Sequence, residues 1–180
     1  MRIISGRWKG RQLIAPRTLP VRPTTDMAKE ALFNILSNEF DLDEITVTDL
    51  FAGTGNISYE FASRGAVKVR AVDRDRGCIK YIHQTSALLE FSQIEPIPTD
   101  VFRYVSRPQM PADVVFADPP YDLPAEKYEE LVRAVLSNSL LSDEGLLVVE
   151  HPGTVDLSQI DGFSQMRHYG TVHFSFFEKP

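Results

Sequence analysis

Hydrophobic and polar positions follow two different rhythms along the chain. Between residues 28 and 36, apolar side chains recur at intervals of three and four, which is typical of a helix with one buried face; Thr24 or Thr25 can cap its start. Two short apolar runs flank a turn rich in Gly, Arg and Lys, so residues 1–15 predict a hairpin. Residues 16–23 hold three prolines and predict an extended connection to the helix.

From Thr46 onward, short apolar runs alternate with longer segments of helical spacing. The predicted strands are Thr46–Leu50, Val67–Val72, Gln93–Pro98, Asp113–Ala117 and Leu146–Glu150. The predicted helices cover residues 56–64, 75–91, 101–106 and 125–138. This alternation is typical of an α/β fold in which a parallel sheet carries helices on both faces. From Met166 to Phe177, Gly170 separates two strand-like runs, and apolar side chains alternate after it at Val172, Phe174 and Phe176, which predicts an antiparallel pair at one edge of the sheet.

Composition indicates a globular domain. The chain has 180 residues, 43% of them hydrophobic and 24% charged, which excludes disordered and collagen-like classes. The single cysteine, Cys78, excludes an intrachain disulfide and a four-thiolate zinc site. The histidines lie in no ligand cluster along the sequence, so no metal is expected. No run approaches the roughly 18 apolar residues of a membrane helix, and no apolar segment follows the basic N-terminus. We therefore expect a cytoplasmic protein that is neither secreted nor membrane-bound.

Charge is distributed unevenly along the chain. The net charge is −6, yet residues 1–25 hold six basic residues and no acidic one. These basic residues are Arg2, Arg7, Lys9, Arg11, Arg17 and Arg22. A basic arm on an acidic body favours a local surface for a polyanion such as a nucleic acid. The alternative is a solvated tail that binds nothing, and charge alone leaves both possibilities open.

A glycine loop follows the first predicted strand. Residues 49–56 have the sequence Asp-Leu-Phe-Ala-Gly-Thr-Gly-Asn and open a predicted helix, whose free N–H groups favour a nucleotide-like ligand. Asp73 lies 18 residues beyond Gly55, where a carboxylate can bind ribose hydroxyls. Glycines alone would favour a plain tight turn. However, Ser58 replaces the third glycine of a dinucleotide loop, and Asp49 suits a cofactor with a cationic end, such as S-adenosylmethionine.

The tetrapeptide Asp118-Pro119-Pro120-Tyr121 follows a strand that is apolar on both faces. Two prolines hold the chain extended and leave its carbonyl groups able to accept hydrogen bonds. A carboxylate, a carbonyl and an aromatic ring on one rigid segment suit a flat base with an exocyclic amino group. A lone tetrapeptide of this kind would favour a proline-rich turn. Its position at the carboxyl end of a strand, as for the glycine loop, favours one shared crevice.

These two motifs resemble those of S-adenosylmethionine-dependent methyltransferases that act on exocyclic or amide nitrogens. Four N-terminal segments narrow the resemblance: Met1–Gly6, Gly10–Arg11, Arg22–Asp26 and Glu30–Leu36. Together they closely resemble the bacterial RsmD-type methyltransferases, which methylate N2 of one guanine in small-subunit (16S) ribosomal RNA. The resemblance covers nearly the whole chain.

The resemblance implies a Rossmann-like methyltransferase fold with a seven-stranded, mostly parallel sheet and an antiparallel last strand. It implies a basic N-terminal extension over residues 1–40, formed by the hairpin and a helix and contacting RNA, and a methyltransferase domain over residues 41–180. The implied cofactor-binding residues are Asp49, Phe51, Gly53, Gly55, Asp73, Asp100 and Val101. The implied catalytic residues, which hold the target base, are Asp118, Pro119, Pro120 and Tyr121. The expected RNA contacts are Arg7, Lys9, Arg11, Arg22, Thr24, Thr25 and Lys29.

The sequence departs from the family's pattern at two places. Met27 stands where the family commonly has Arg, and the segment Tyr169–Val172 lacks the family's acidic residue. Alternative functions are methylation of adenine N6 in DNA, methylation of another RNA, a nicotinamide-dependent dehydrogenase, or an RNA-binding module without activity. We expect a monomer that acts on 16S rRNA within a partly or fully assembled small subunit, because six charges on the arm predict weak binding to naked RNA.

Overall fold

A computed structural model describes residues 1–20 and 24–180 of the chain. The helices are α1 (Asp26–Glu39), α2 (Asn56–Ser63), α3 (Arg76–Leu88), α4 (Val101–Val105) and α5 (Ala125–Ser137). The strands are β1 (Thr46–Leu50), β2 (Lys68–Asp73), β3 (Ile94–Pro98), β4 (Ala112–Ala117), β5 (Leu141–His151), β6 (Phe163–Tyr169) and β7 (Val172–Glu178). Among the described residues, no helix is long and apolar enough to cross a membrane.

All seven strands join one sheet in the order β3-β2-β1-β4-β5-β7-β6. The first five strands are parallel to one another, and β7 is antiparallel to both β5 and β6. The predicted sheet is therefore confirmed. The strand order reverses between β1 and β4, and ligands of such sheets bind outside the carboxyl ends of the strands at this point.

Two layers of helices cover the sheet, because successive side chains of a strand point to opposite faces. On β4, Val114 and Phe116 pack in the cluster formed with α1, α2 and α3. Val115 and Ala117 pack in the cluster formed with α4 and α5. All four residues are fully buried or nearly so, which explains why the strand shows no polar alternation.

The strand β5 is longer than its apolar pattern predicts. Sequence indicates Leu146–Glu150, whereas the strand begins at Leu141. Its pairing with β4 shifts register between Ala112 and Val114, so polar residues occupy an irregular first half that apolar spacing cannot reveal. The apolar second half pairs regularly from Leu146 to Val149.

The N-terminal hairpin forms with less regular pairing than predicted, since its bridge joins only Arg2 and Gln12. The hairpin packs against α2, where both oxygens of the buried Glu60 accept backbone hydrogen bonds, from the Ile4 amide at 2.8 Å and the Ser5 amide at 3.0 Å. Gly6 has φ of +79° and lies so close to α2 that an added Cβ would be 1.8 Å from a backbone oxygen. The first ten residues are therefore docked on the domain.

Candidate active site

The glycine loop between β1 and α2 contains three residues with positive φ: Phe51 (61°), Gly53 (55°) and Gly55 (86°). Gly55 also has a packing requirement, because a Cβ there would lie 2.8 Å from the ring of Tyr59. Phe51 adopts the same left-handed conformation although it carries a side chain, which strains its backbone. Strained residues of this kind concentrate at functional sites. Its ring makes an edge contact with Phe102 of α4, with ring centroids 6.3 Å apart.

Asp73 joins the glycine loop to the end of β2. One carboxylate oxygen accepts from the Gly53 amide at 2.8 Å, and the other accepts from the Asp75 amide at 2.8 Å. A carboxylate offers about four acceptor positions, so each oxygen keeps capacity for another donor. The arrangement holds Asp73 beside the loop, as a residue that binds ribose hydroxyls requires.

Asp49 is 2% exposed, and its Oδ2 accepts a 2.6 Å hydrogen bond from the Ser58 hydroxyl. Burial raises the pKa of Asp49 to about 7. Ser58 is itself fully buried and occupies the position of the third glycine in a dinucleotide loop. Its side chain therefore fills the space that a glycine would leave empty, and its hydroxyl is the hydrogen-bond donor to Asp49.

Asp100 and Val101 stand where β3 passes into α4. Asp100 caps this helix, with Oδ1 accepting from the Arg103 amide at 3.0 Å, while Val101 is buried. The Thr99 amide donates to the Asp73 carbonyl at 3.0 Å. The end of β3 is thereby tied to the end of β2, so the predicted cofactor residues after β1, β2 and β3 lie along one edge of the sheet.

The Asp-Pro-Pro-Tyr segment begins directly after β4, and its first residue is tied to β1 by a 3.3 Å bond from the Asp118 amide to the Leu50 carbonyl. The Pro120 carbonyl accepts from the Leu123 amide at 2.9 Å and from the Tyr128 hydroxyl at 3.3 Å. Burial, with the nearby Asp118 carboxylate as the next cause, raises the pKa of Tyr128 to about 12, so the hydroxyl stays a donor. The segment is thus held from β1 and from α5.

The glycine loop and the Asp-Pro-Pro-Tyr segment are neighbours across the reversal of strand order. Leu50 pairs with Ala117, so Phe51 and Asp118 follow adjacent residues on adjacent strands. Neighbouring strands lie about 4.8 Å apart, and the two motifs therefore border the same crevice. Such an arrangement can place a cofactor beside a planar substrate.

The sequence interpretation missed Glu150, the acidic residue that ends the apolar part of β5. Glu150 is 3% exposed and accepts a 3.1 Å hydrogen bond from the Tyr121 hydroxyl. Val149 pairs with Ala117, so the next positions, Glu150 and Asp118, are side by side at the carboxyl ends of β5 and β4. A charged residue directly after an apolar strand was the available signal.

Three of the predicted RNA contacts, Arg7, Lys9 and Arg11, are exposed on the hairpin around Trp8. The guanidinium carbons of Arg7 and Arg11 lie 5.7 and 5.8 Å from the Trp8 ring centroid. Trp8 anchors this group to the domain, since its Nε1 donates to the Leu89 carbonyl at 2.9 Å. The hairpin thus presents a basic surface with a fixed aromatic ring.

The structure contradicts one predicted RNA contact. Lys29 is fully buried: its Nζ donates to Asn56 Oδ1 at 2.9 Å and lies 3.2 Å from Glu60 Oε2. Burial lowers the pKa of Lys29, and the Glu60 charge opposes this effect. The helical period explains the error, because Lys29 follows Ala28 on the face of α1 that packs on the domain.

Two further predicted contacts, Thr24 and Thr25, lie at the start of α1. Thr25 is its N-cap, and its side chain accepts from the Ala28 amide at 3.2 Å, as the sequence predicts. Thr24 is half-buried, with Oγ1 3.5 Å from Glu150 Oε2. Arg22 lies outside the described residues. Within residues 1–20 and 24–180, no group of three or more His, Cys, Asp or Glu side chains could hold a metal ion.

Sheet order and the paired motifs at its reversal define the class of protein: a Rossmann-like fold of the methyltransferase type. A family model described as "Conserved hypothetical protein 95" matches residues 1–178. The chain belongs to this family, the RsmD family that its motifs resemble.

Known relatives agree with this assignment. Ribosomal RNA small subunit methyltransferase D of Escherichia coli K12 is 31% identical over 83% of this chain and 74% of that protein. The protein of the same name from Haemophilus influenzae is 33% identical over 83% of this chain and 78% of that protein. The solved structure of yhhF from Escherichia coli has a TM-score of 0.85 and 27% identity, covering 99% of this chain and 97% of that chain.

Proposed function

We propose that this chain transfers a methyl group from S-adenosylmethionine to the exocyclic N2 of a guanine in small-subunit (16S) ribosomal RNA. The names of its relatives supply ribosomal RNA as the substrate class. The observation that carries the chemistry is the Asp118-Pro119-Pro120-Tyr121 segment fixed one strand away from the glycine loop. A carboxylate, a carbonyl and an aromatic ring there suit an amino group on a planar base.

The residues around the glycine loop fit this cofactor. Asp73 offers acceptor capacity for ribose hydroxyls, and Asp100 with Val101 would border the adenine. Asp49 is a buried carboxylate whose pKa of about 7 allows it to ionise fully when a cationic amino group approaches. A pyrophosphate would instead be repelled by that carboxylate. S-Adenosylmethionine supplies a methyl group already activated by its sulfonium.

The target amino group needs positioning and polarisation, because its lone pair is delocalised into the ring. The Asp118 carboxylate and the Pro119 carbonyl would each accept a hydrogen bond from one N–H group of the amine. These two hydrogen bonds would localise the nitrogen lone pair and direct it at the methyl group. Tyr121 would stack on the base and offset part of the stacking lost when the base leaves folded RNA, about 1–3 kcal/mol. No metal enters these steps.

The basic hairpin would hold the RNA beside this crevice. Arg7, Lys9 and Arg11 with Trp8 combine charge and an aromatic face, which is the usual combination for contacts to phosphates and bases. Few charges make binding to naked RNA weak and sensitive to salt. The preferred substrate would be a partly or fully assembled small subunit, with the enzyme acting as a monomer.

The test is methyl transfer from labelled S-adenosylmethionine to small subunits from cells that lack the corresponding gene, followed by digestion to nucleosides and chromatography. We expect the label in N2-methylguanosine. Label in N6-methyladenosine would keep the cofactor and overturn the base assignment. No label in any RNA would overturn the substrate class and direct the search to DNA. The Asp118→Ala variant, assayed in parallel, is the control for residual activity.

A further inference from the structure

Glu150 is an acidic side chain that the proposed reaction does not use. It is the last residue but one of β5, which ends at His151, and it is 3% exposed. A buried carboxylate is costly unless hydrogen bonds compensate it. Its Oε1 accepts from the Tyr121 hydroxyl at 3.1 Å, and Thr24 Oγ1 lies 3.5 Å from its Oε2.

The hydrogen bond from the Tyr121 hydroxyl to Glu150 limits the rotation of the tyrosine side chain. A tyrosine ring that stacks on a base can turn about its side-chain bonds, and a hydrogen bond at the hydroxyl restricts this freedom. The backbone of the segment is held separately, through the Asp118 amide and the Pro120 carbonyl. Glu150 therefore acts on the ring of Tyr121, while other residues hold the main chain.

The position of Glu150 also links two parts of the chain. It lies beside Asp118 across the β4–β5 pair and reaches Thr24, just before α1 begins. The contact with Thr24 is long, so the bond to Tyr121 is the stronger of the two. The N-terminal extension and the Asp-Pro-Pro-Tyr segment thus meet at one carboxylate.

We propose that Glu150 is a positioning residue for methyl transfer, which orients the Tyr121 ring for the target base through its hydrogen bond to the tyrosine hydroxyl. This inference rests on the proposed function and adds to it a residue that acts through another side chain. It assigns Glu150 no direct contact with cofactor or base.

The test compares Tyr121→Phe, Glu150→Ala, Glu150→Gln and the double variant Tyr121→Phe/Glu150→Ala, with kcat and KM measured on small subunits. We expect Glu150→Ala and Tyr121→Phe each to lower kcat about tenfold, and the double variant to lose about tenfold as well. Glu150→Gln keeps an acceptor for the hydroxyl and should stay within about threefold of the unmodified chain. The dissociation constant for S-adenosylmethionine should not change.

Glu144→Gln is the matched control, because Glu144 is an exposed residue near the start of the same strand. A double variant that loses the product of the two single effects would overturn the proposal, as would a Gln variant as impaired as the Ala variant. If Glu150→Ala does not fold, the cycle is run with Glu150→Gln, and the double variant Tyr121→Phe/Glu150→Gln should then lose no more than about the tenfold that Tyr121→Phe loses alone. A double variant that loses markedly more than Tyr121→Phe would overturn the proposal. Absence of methyl transfer by the unmodified chain would instead refute the proposed function.

Discussion

At the scale of single residues, similar carboxylates acquire different chemistry from their surroundings. Asp49 is buried with one hydroxyl partner, and its pKa rises to about 7. Asp73 receives two backbone amides and stays beside the glycine loop. Asp118 follows the central strand β4 and its amide is tied to β1. Each environment, rather than the residue type, determines which ligand group the carboxylate suits.

Asp118→Ala tests the proposed hydrogen bond to the target amino group. We expect kcat to fall by about 100-fold or more, because one preorganised electrostatic contact to the reacting group is lost. The dissociation constant for S-adenosylmethionine, measured by equilibrium dialysis, should remain within about twofold, since the cofactor residues are untouched. Asp122→Ala, an exposed neighbour in the turn, is the control. Full turnover by Asp118→Ala would refute its assignment.

Asp49→Asn tests the raised pKa of Asp49. The pKa is about 7 in the folded chain against 3.8 for an ordinary Asp, so between these pH values the folded state keeps a proton that the unfolded state releases. This group's contribution to the free energy of unfolding therefore falls as pH rises from about 4 to about 7, and is constant above. The Asp49→Asn variant has no titrating group at this position, so its free energy of unfolding does not show this decrease.

Urea unfolding of both proteins without cofactor, at pH 5 and pH 8, measures the effect. The variant should gain stability relative to the unmodified chain as pH rises, by about 1–3 kcal/mol between the two conditions. Asn retains an oxygen for the Ser58 hydroxyl, so the comparison isolates the charge. Parallel pH dependence in the two proteins would show that Asp49 titrates normally.

At the scale of elements, a buried network attaches the N-terminal extension to the domain. Glu60 of α2 accepts from the hairpin backbone and pairs with Lys29 of α1 and Arg64. Lys29 in turn donates to Asn56, the first residue of α2 after the glycine loop. Hairpin, α1 and the loop helix therefore share one set of polar contacts.

Lys29→Met tests whether this lysine is structural. Removing the cation leaves the buried Glu60 with fewer partners, and we expect the free energy of unfolding to fall by about 2–4 kcal/mol in urea titrations. Glu30→Gln, an exposed neighbour on the same helix, should change it by less than about 0.5 kcal/mol. A stability equal to that of the control, together with a loss of RNA affinity, would restore Lys29 as an RNA contact.

At the scale of the whole molecule, charge is separated between a basic hairpin and an acidic body. The net charge is −6, so binding of RNA depends on where its phosphates approach. The basic hairpin packs on α2 and α3 through Gly6 and Trp8, which fixes its position relative to the domain. The domain's own charge would repel RNA elsewhere.

The triple variant Arg7→Ala/Lys9→Ala/Arg11→Ala tests this surface. We expect weaker binding to small-subunit RNA, and a plot of log affinity against log salt whose slope is shallower by about 2, since each lost phosphate contact on single strands removes about 0.7. Replacement of Arg107, Arg133 and Lys179 by Ala removes the same charge elsewhere and is the control. Equal slopes for the two triple variants would exclude the hairpin as the RNA surface.

Sequence alone determined the alternation of strands and helices, the glycine loop, the proline-rich segment and the family, because periodicity, backbone restriction and motif spacing are local properties. Only the tertiary structure decided which charged residues are buried. Lys29 and Glu150 lie far apart in sequence from Glu60 and Tyr121, their partners. Burial and pairing depend on contacts between distant segments, and the position of a charge along the chain does not record them.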